Sequence, residues 1–255
     1  MRKKNVVVIP ARGGSQGIKD KNLQEVGGYP LVIRALRQAF ELTSGFSIIV
    51  STDSQAIIDK ITFFLGLDRL NLFKLDYNTV HDLGPISLHY RSQEFSDSNA
   101  IIGDVLKNLR LICLEQLHLY ECWVLLQPTS PFRSKAELHQ LASDIKQNFG
   151  HHDSWISVKK VDDSHPARMY ELKSDSNYLA SLSGYEHLNS ARRQDLNPLY
   201  LRDGAFYCIS DSLVAEGKQF SVNPKPILRK GPWTINIDNE MDLALARLYS
   251  DILTD

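Results

Sequence analysis

The stretch Val6-Val7-Val8-Ile9-Pro10-Ala11-Arg12-Gly13-Gly14-Ser15-Gln16-Gly17-Ile18-Lys19-Asp20-Lys21-Asn22 decides the fold. Its first four residues are β-branched with no polar interruption, the pattern of a strand buried on both faces rather than one with a wet side. Pro10 ends that run, and Gly13, Gly14 and Gly17 follow, so a buried strand leads into a flexible turn. Beyond Pro30, the apolar positions Leu31, Ile33, Ala35, Leu36, Ala39 and Phe40 recur at helical spacing, which predicts a helix covering the strand. Strand, glycine-bearing loop and covering helix together open an α/β sheet.

The alternation continues outward. The pattern predicts a strand over 48–51, a helix over 55–65, a helix over 101–114, a strand over 123–126 and a helix over 135–149. Strands separated by helices imply one doubly wound, mostly parallel sheet. After a strand over 155–161 the chain turns polar, and 169–172 with 178–180 reads as a small hairpin inside an insertion spanning 162–202. Strands over 205–209 and 234–237 and a closing helix over 241–253 return to the sheet. Residues 66–90 keep no period long enough to decide.

The chain has 255 residues, enough for one large α/β domain with an insertion. Its 29 Lys and Arg against 30 Asp and Glu give a formal charge of -1, so no global field draws it to nucleic acid or to an anionic membrane. Any anion site must be local. Hydrophobic residues at 43% and charged ones at 23% exclude a disordered, collagenous or coiled-coil chain. Cys113, Cys122 and Cys208 are odd in number and show no zinc-ligand spacing, so neither a disulfide framework nor a zinc site is expected, and a reducing compartment fits. The basic N-terminus is followed by an apolar run that stops at Pro10, too short for export, and no window reaches the 18 or so apolar residues of a membrane span. A cytoplasmic protein without membrane partners is expected.

The first loop carries the clearest chemistry. Its glycines let backbone N–H groups approach an anion closely, and Arg12, Lys19 and Lys21 can neutralise a polyphosphate. It is not GxxxxGK[ST], because Ile18 stands where the second glycine belongs, and GGxxG is not GxGxxG. On these residues alone, a glycine-rich turn with solvated charges remains an equal reading.

Residues 9–22, continuing through Gly27-Gly28-Tyr29-Pro30-Leu31, resemble the N-terminal signature of the CMP-sialic acid synthetases (acylneuraminate cytidylyltransferases), PARGGSKGIxxKN followed by GGKPL. Further segments agree in order. Ser51-Thr52-Asp53 is similar to the family's STD, and Arg91 through Glu94 to Asp97-Ser98 to its R-x-x-E-x-x-x-D-[ST], one residue shorter here. Leu125-Leu126-Gln127-Pro128-Thr129-Ser130-Pro131-Phe132-Arg133 resembles LLQPTSPLR, and Arg192-Arg193-Gln194-Asp195 with Asp203-Gly204-Ala205-Phe206-Tyr207 resembles RRQD followed by NGAFY.

The resemblance implies an α/β domain of the nucleotide-diphospho-sugar transferase type and a homodimer in which residues 162–202 reach into the neighbouring subunit. It implies transfer of CMP from CTP to the anomeric hydroxyl of a nine-carbon keto-sugar acid, releasing pyrophosphate, with Mg²⁺ or another divalent cation. Carried over by motif, Arg12, Gly13, Gly14, Ser15, Lys21 and Asn22 bind the nucleotide, and Arg91 with Ser98 or Asn99 faces the base. Gln127, Thr129, Ser130, Arg192 and Arg193 meet the sugar acid or phosphates. Arg12, Lys21, Arg192 and Asp238 form the catalytic set, with Asp238 the metal ligand.

The chain departs from the family pattern twice. Gln16 replaces the usual Lys, removing a positive charge near the triphosphate, and Asn236-Ile237-Asp238 replaces D-x-D, leaving one carboxylate where two would share a strand face. A non-catalytic nucleotide-sugar binding protein of this fold is therefore an alternative. A CTP transferase for an eight-carbon acid is another, against which Gly13-Gly14-Ser15 argues. Asp53 either caps the following helix or contacts substrate. Glu240 and Asp242 suit the first turn of the last helix, and the adjacent His151 and His152 point apart, so no metal is expected there.

Overall fold

The computed structural model describes residues 5–15, 17–42, 45–67, 75–97, 100–161, 164–173, 177–188, 191–231 and 234–252. Strand β1 (Asn5–Pro10) leads through the glycine loop and a small hairpin, β2 (Glu25–Val26) and β3 (Tyr29–Pro30), into helix α1 (Leu31–Glu41). Next come β4 (Phe46–Thr52), α2 (Gln55–Leu65), β5 (Thr79–Asp82), β6 (Ser87–Tyr90), α3 (Ile102–Glu115), β7 (Cys122–Leu125) and α4 (Lys135–Asn148). The second half holds β8 (Ser154–Lys160), β9 (Tyr170–Leu172), β10 (Leu179–Ser181), β11 (Tyr200–Ser210), α5 (Asp211–Ala215), β12 (Lys225–Arg229) and α6 (Glu240–Ile252).

The main sheet runs in the order β12-β8-β11-β7-β1-β4-β6-β5. Strand β1 pairs in parallel with β4 on one side and β7 on the other. Its side chains alternate: Val7 and Ile9 enter the core under α1, α2 and α4, while Val6 and Val8 enter the core under α3 and α5. All four are fully buried, each contributing about 1.5–3 kcal/mol relative to exposure. Helices on both faces make the expected doubly wound α/β sheet, in which β11 and the edge strand β5 run antiparallel to their neighbours. From β1 the chain winds outward through β4 to β6, and α3 then returns it to β7 across β1. The crevice between the carboxyl ends of β1 and β7 is thus the topological switch point, where open α/β sheets bind ligands.

Helix starts follow local capping chemistry. The Ser54 hydroxyl accepts from Ile57 N–H at α2, and Ser134 with Glu137 forms a reciprocal capping box at α4. At α6, Asn239 Oδ1 accepts from Asp242 N–H while the Asp242 carboxylate accepts from the Asp238 and Asn239 N–H groups. Asp242 therefore serves the helix terminus, as its position in the first turn suggested.

Three segments differ from the sequence reading. Residues 234–237 form no strand; the segment lies beside the 127–131 loop, joined by Ile237 N–H to Thr129 C=O at 2.8 Å, and Ile237 packs with α6 instead. The edge place beside β8 goes to β12, which the reading missed because Pro226 interrupts it; an edge strand tolerates a residue without N–H. The undecided region supplies β5 and β6. Strand β11 starts at Tyr200, earlier than expected, and its register shifts between Arg202 and Tyr207, where Gly204 adopts φ 78°. The expected hairpin forms as β9 against β10.

A buried charge cluster locks the carboxyl edge of this half. Arg133 and Arg229 stack on the Phe206 ring, with guanidinium carbons 5.7 and 5.6 Å from its centroid. Arg133 donates to Ala205 C=O at 2.8 Å, Gln38 Oε1 at 2.8 Å and Gln127 C=O at 2.6 Å. Arg229 donates to Glu137 Oε1 and Asp203 Oδ2, each at 2.8 Å. Burial, and then Arg229, push the Arg133 guanidinium down to about 9. Removing the Asp203 carboxylate leaves two buried guanidiniums, Arg133 and Arg229, with Glu137 as the one remaining carboxylate named in the cluster, so Asp203→Ala should lower unfolding free energy by about 3–5 kcal/mol. Urea denaturation checks this; a loss under about 1 kcal/mol would show that the cluster is not a stability determinant.

Candidate active site

A cleft of about 420 Å³ opens at the switch point, lined by Arg12, Ser15, Lys21 and Asn22 after β1, Arg91 after β6, Gln127 and Thr129 after β7, and Asn236 and Asp238 before α6. Phe95, Ile102 and Val105 give it an apolar wall. The structure thus brings together residues spread over most of the chain.

The glycine loop is held from behind. Gly13 N–H donates to Asp53 Oδ1 at 2.7 Å, and the Asn22 amide donates to Arg12 C=O at 2.8 Å. Asp53 thus does not cap α2, which Ser54 does. The glycines divide by function. A Cβ on Gly13 would lie 2.8 Å from Ser54 Cβ, and one on Gly17 would lie 2.5 Å from the Asp238 carbonyl oxygen. Both are required by packing. A Cβ on Gly14 would meet nothing within 4 Å, and its φ is not positive. The chain itself therefore does not demand glycine there, and the open space above it suits close approach of an anion to the backbone. Gly13 N–H, by contrast, is already engaged.

Arg91 occupies the opposite wall. It is 4% exposed, with Nη1 donating to Phe95 C=O at 3.3 Å, yet Nε and Nη2 are buried without a hydrogen-bond partner among the described residues. Burial pushes this guanidinium down to about 10, Asp53 opposes that shift and Arg12 adds to it. Unsatisfied buried donors cost about 1–3 kcal/mol, more when charged, so an acceptor in the cleft would relieve them. Arg12 crosses the mouth and donates to Asp97 C=O at 3.2 Å. Beneath Arg91, the buried His89 bonds Ser51 through Nδ1 at 2.9 Å, and burial and the nearby Arg91 hold it neutral, down to about 3.

At the third wall, Lys21 Nζ donates to Ile237 C=O at 3.1 Å and lies 3.8 Å from Asp238 Oδ1. Asn236 Nδ2 donates to Asp238 Oδ2 at 2.8 Å, and its Oδ1 lies 3.3 Å from the Ser130 hydroxyl. Although 236 and 238 are not on a strand, they face the same side. The Asp238 carboxylate is 71% exposed. Mg²⁺ keeps several waters and needs only one or two carboxylates beside substrate phosphates, so Asp238 fits such an ion, whereas Asn236 turns its oxygen to Ser130. Among the described residues no group of three or more His, Cys, Asp or Glu is placed to hold a metal.

Other expected residues stand apart. Ser130 is buried against Asn236 and Asp203 C=O, behind rather than on the cleft wall. Gly204 packs toward Gln127 Oε1, where a Cβ would come within 3.2 Å. Arg192 lies in the insertion, exposed and paired with Asp195 at 2.8 Å, and is not among the cleft-lining side chains of its own chain. Gln16, Ser98 and Asn99 lie outside the described residues, as does the side chain of Arg193. The sequence reading missed the roles of Asp53 and Arg133, whose motif positions marked them without showing that each holds a backbone.

The sheet thus carries a glycine-bearing, cationic loop at its switch point. Residues 6–68 match the family described as Cytidylyltransferase. An N-acylneuraminate cytidylyltransferase of Streptococcus agalactiae serotype V is 29% identical over 223 residues, 85% of this chain and 46% of that protein. The chain thus spans about half the length of that relative. The CMP-N,N'-diacetyllegionaminic acid synthase of Legionella pneumophila is 28% identical over 251 residues, covering 97% of this chain and 96% of its own length. In fold, a CMP:2-keto-3-deoxy-manno-octonic acid synthetase solved with CTP superimposes with a TM-score of 0.60 at 14% identity, covering 98% of this chain and 100% of that one. Over most of its length the chain is thus similar to CMP-sialic acid synthetase-like cytidylyltransferases.

The glycine assignments are separable by experiment. Gly14→Ala should keep the wild-type melting temperature, or raise stability by about 0.4–1 kcal/mol, while weakening CTP binding in a calorimetric titration. Gly17→Ala should destabilise by about 1–3 kcal/mol through overpacking. A Gly14→Ala protein with unchanged CTP affinity would show that the space above this residue is not used by ligand.

Proposed function

We propose that the protein transfers CMP from CTP to the anomeric hydroxyl of a nine-carbon keto-sugar acid. The observation that carries this reading is Arg91, a buried guanidinium that lines the same cleft as Ser15 and Lys21 and has two donors without a partner among the described residues. An acceptor-rich nucleobase satisfies those donors while the phosphates extend toward Gly14, Ser15 and Lys21. The relatives, named for N-acylneuraminate and for diacetyllegionaminic acid, support the acid's class.

In this reading the hydroxyl oxygen attacks the α-phosphorus in line; the new O–P bond forms as the bond to the β-phosphate oxygen breaks, pyrophosphate leaves, and the hydroxyl proton passes to solvent. Catalysis of such a step is positioning plus neutralisation of phosphate charge. Arg12 and Lys21 supply positive charge at the leaving pyrophosphate, and Gln127, fixed through its carbonyl by Arg133, orients the acceptor. A divalent cation bound at Asp238 would add charge neutralisation on the phosphate oxygens. Asn236 gives specific support to a second reading, a nucleotide-sugar binding protein.

Incubation with CTP, Mg²⁺ and a panel of nonulosonic acids should release pyrophosphate, and CTP binding without turnover on any acid would favour the binding protein. Asp238→Asn should cut turnover by about 100-fold or more, since an amide oxygen offers a dipole in place of a full charge. Asn236→Asp should lower the Mg²⁺ concentration for half-maximal rate. Near-normal Mg²⁺-dependent activity in Asp238→Asn would remove Asp238 from the metal site.

The same reading includes a homodimer. Leu172, Tyr178 and Leu179 of the insertion hairpin are 70%, 76% and 64% exposed, an apolar surface that a second copy would cover, bringing Arg192 and Arg193 to the neighbouring cleft. The described residues include no helix long and apolar enough to cross a membrane, and the three cysteines are free and buried, which suits the cytoplasm. Replacing Leu172 and Leu179 together by Lys should yield an inactive monomer by sedimentation velocity. A wild-type chain that is monomeric at micromolar concentration yet active would refute the cross-subunit role.

A further inference from the structure

Asp53 grips the glycine loop from behind without lining the cleft. It follows β4 where that strand is still tied on both sides: Ala11 N–H donates to Ser51 C=O and Arg91 N–H to Thr52 C=O, each at 2.8 Å. The backbone at Asp53 is thus flanked by the two segments that supply the glycine loop and Arg91. Thr52 lies in register with Tyr90, so Asp53 follows opposite Arg91. No ion pair joins the two among the described residues, and the carboxylate instead reaches back to Gly13 N–H at 2.7 Å. Ser54 closes on the same glycine from the other side, 2.8 Å from where a Cβ would stand.

We propose that Asp53 is a positioning residue that pins the loop at Gly13 so that the Gly14 and Ser15 backbone faces a polyphosphate, without touching the ligand itself. A carboxylate in contact with a triphosphate would repel it, whereas one turned to a backbone amide behind the loop fixes the loop and keeps its charge toward Arg91. It is also absent from the cleft-lining side chains. Its carboxylate also opposes the fall that burial imposes on the neighbouring Arg91. This inference rests on the triphosphate reading of the loop.

The test compares Asp53→Asn, which keeps an oxygen able to accept from Gly13 N–H, with Asp53→Ala, which does not. Hydrogen exchange of the Gly13 amide, calorimetric affinity for CTP and for inorganic tripolyphosphate, and the KM of CTP against that of the sugar acid are read for each. Asp53→Ala should lose Gly13 protection and weaken both polyphosphate ligands by about tenfold or more, with the KM for the sugar acid unchanged. Asp53→Asn should restore protection and bring affinity back to within about threefold of wild type. Equal losses in the two variants would overturn the proposal, because charge at the ligand or metal would then be what matters, and so would wild-type affinity in Asp53→Ala. If wild-type protein binds tripolyphosphate but turns over no CTP, the proposed reaction falls while the Asp53 assignment is still decided by exchange and tripolyphosphate affinity. Failure of wild-type protein to bind either ligand overturns both.

Discussion

The structure depends on burying β1 on both faces. A strand with apolar residues at every position has no side to turn to water, so helices must cover both faces of the sheet at that strand. The chain can satisfy this only by winding outward from β1 one way and then returning to wind the other way. That reversal opens a crevice at the carboxyl end of β1, and the loop leaving β1 falls into it. The glycines, Arg12 and Lys21 reach the cleft because of where β1 must lie. Their chemistry is local, but their location is a consequence of Val6 to Ile9.

Charge is distributed along the same division between frame and cleft. Arg133 and Arg229 are buried behind the cleft, and each spends its donors on carbonyls and carboxylates of the frame. Arg91 is equally buried yet leaves two donors unspent among the described residues. Guanidinium desolvation is costly in all these places, so the contrast between satisfied and unsatisfied donors separates a brace from a binding group better than burial does. The same contrast separates Gly13 from Gly14. One amide is engaged by Asp53, while the other glycine has no internal reason to lack a side chain.

Much of this was legible in the sequence. The β-branched run and the helical spacing after Pro30 act over a few residues, so they read directly as elements. The motifs around Arg12, Arg91, Gln127 and Asp238 also fell together in space. What could not be read depended on competition between distant segments. Residues 234–237 look like a strand locally, yet β12 holds the edge beside β8, and Ile237 finds its apolar partners with α6. Pro226 disguised the true edge strand. Asp53 and Arg133 stand in motifs, but nothing in their spacing says that one grips the amide of Gly13 and the other the carbonyl of Gln127.

The most informative departure from the family pattern, Asn236, acquires a physical sense only in three dimensions. Two carboxylates at 236 and 238 would face each other at the 2.8 Å now spanned by an amide hydrogen bond, an arrangement that needs a cation between them or a shared proton. With Asn at 236, the amide donates to Asp238 and its oxygen turns to Ser130, so the pair is satisfied within the chain. Lys21 stands near the other Asp238 oxygen. The carboxylate is thus already partnered by an amide and an ammonium before any ligand arrives, and little local charge remains to hold a divalent ion by itself. In the proposed reaction, neutralisation at this corner would come with the ligand: a polyphosphate would bring the negative charge that makes a divalent cation favourable, and Asp238 would contribute the one carboxylate to hold it.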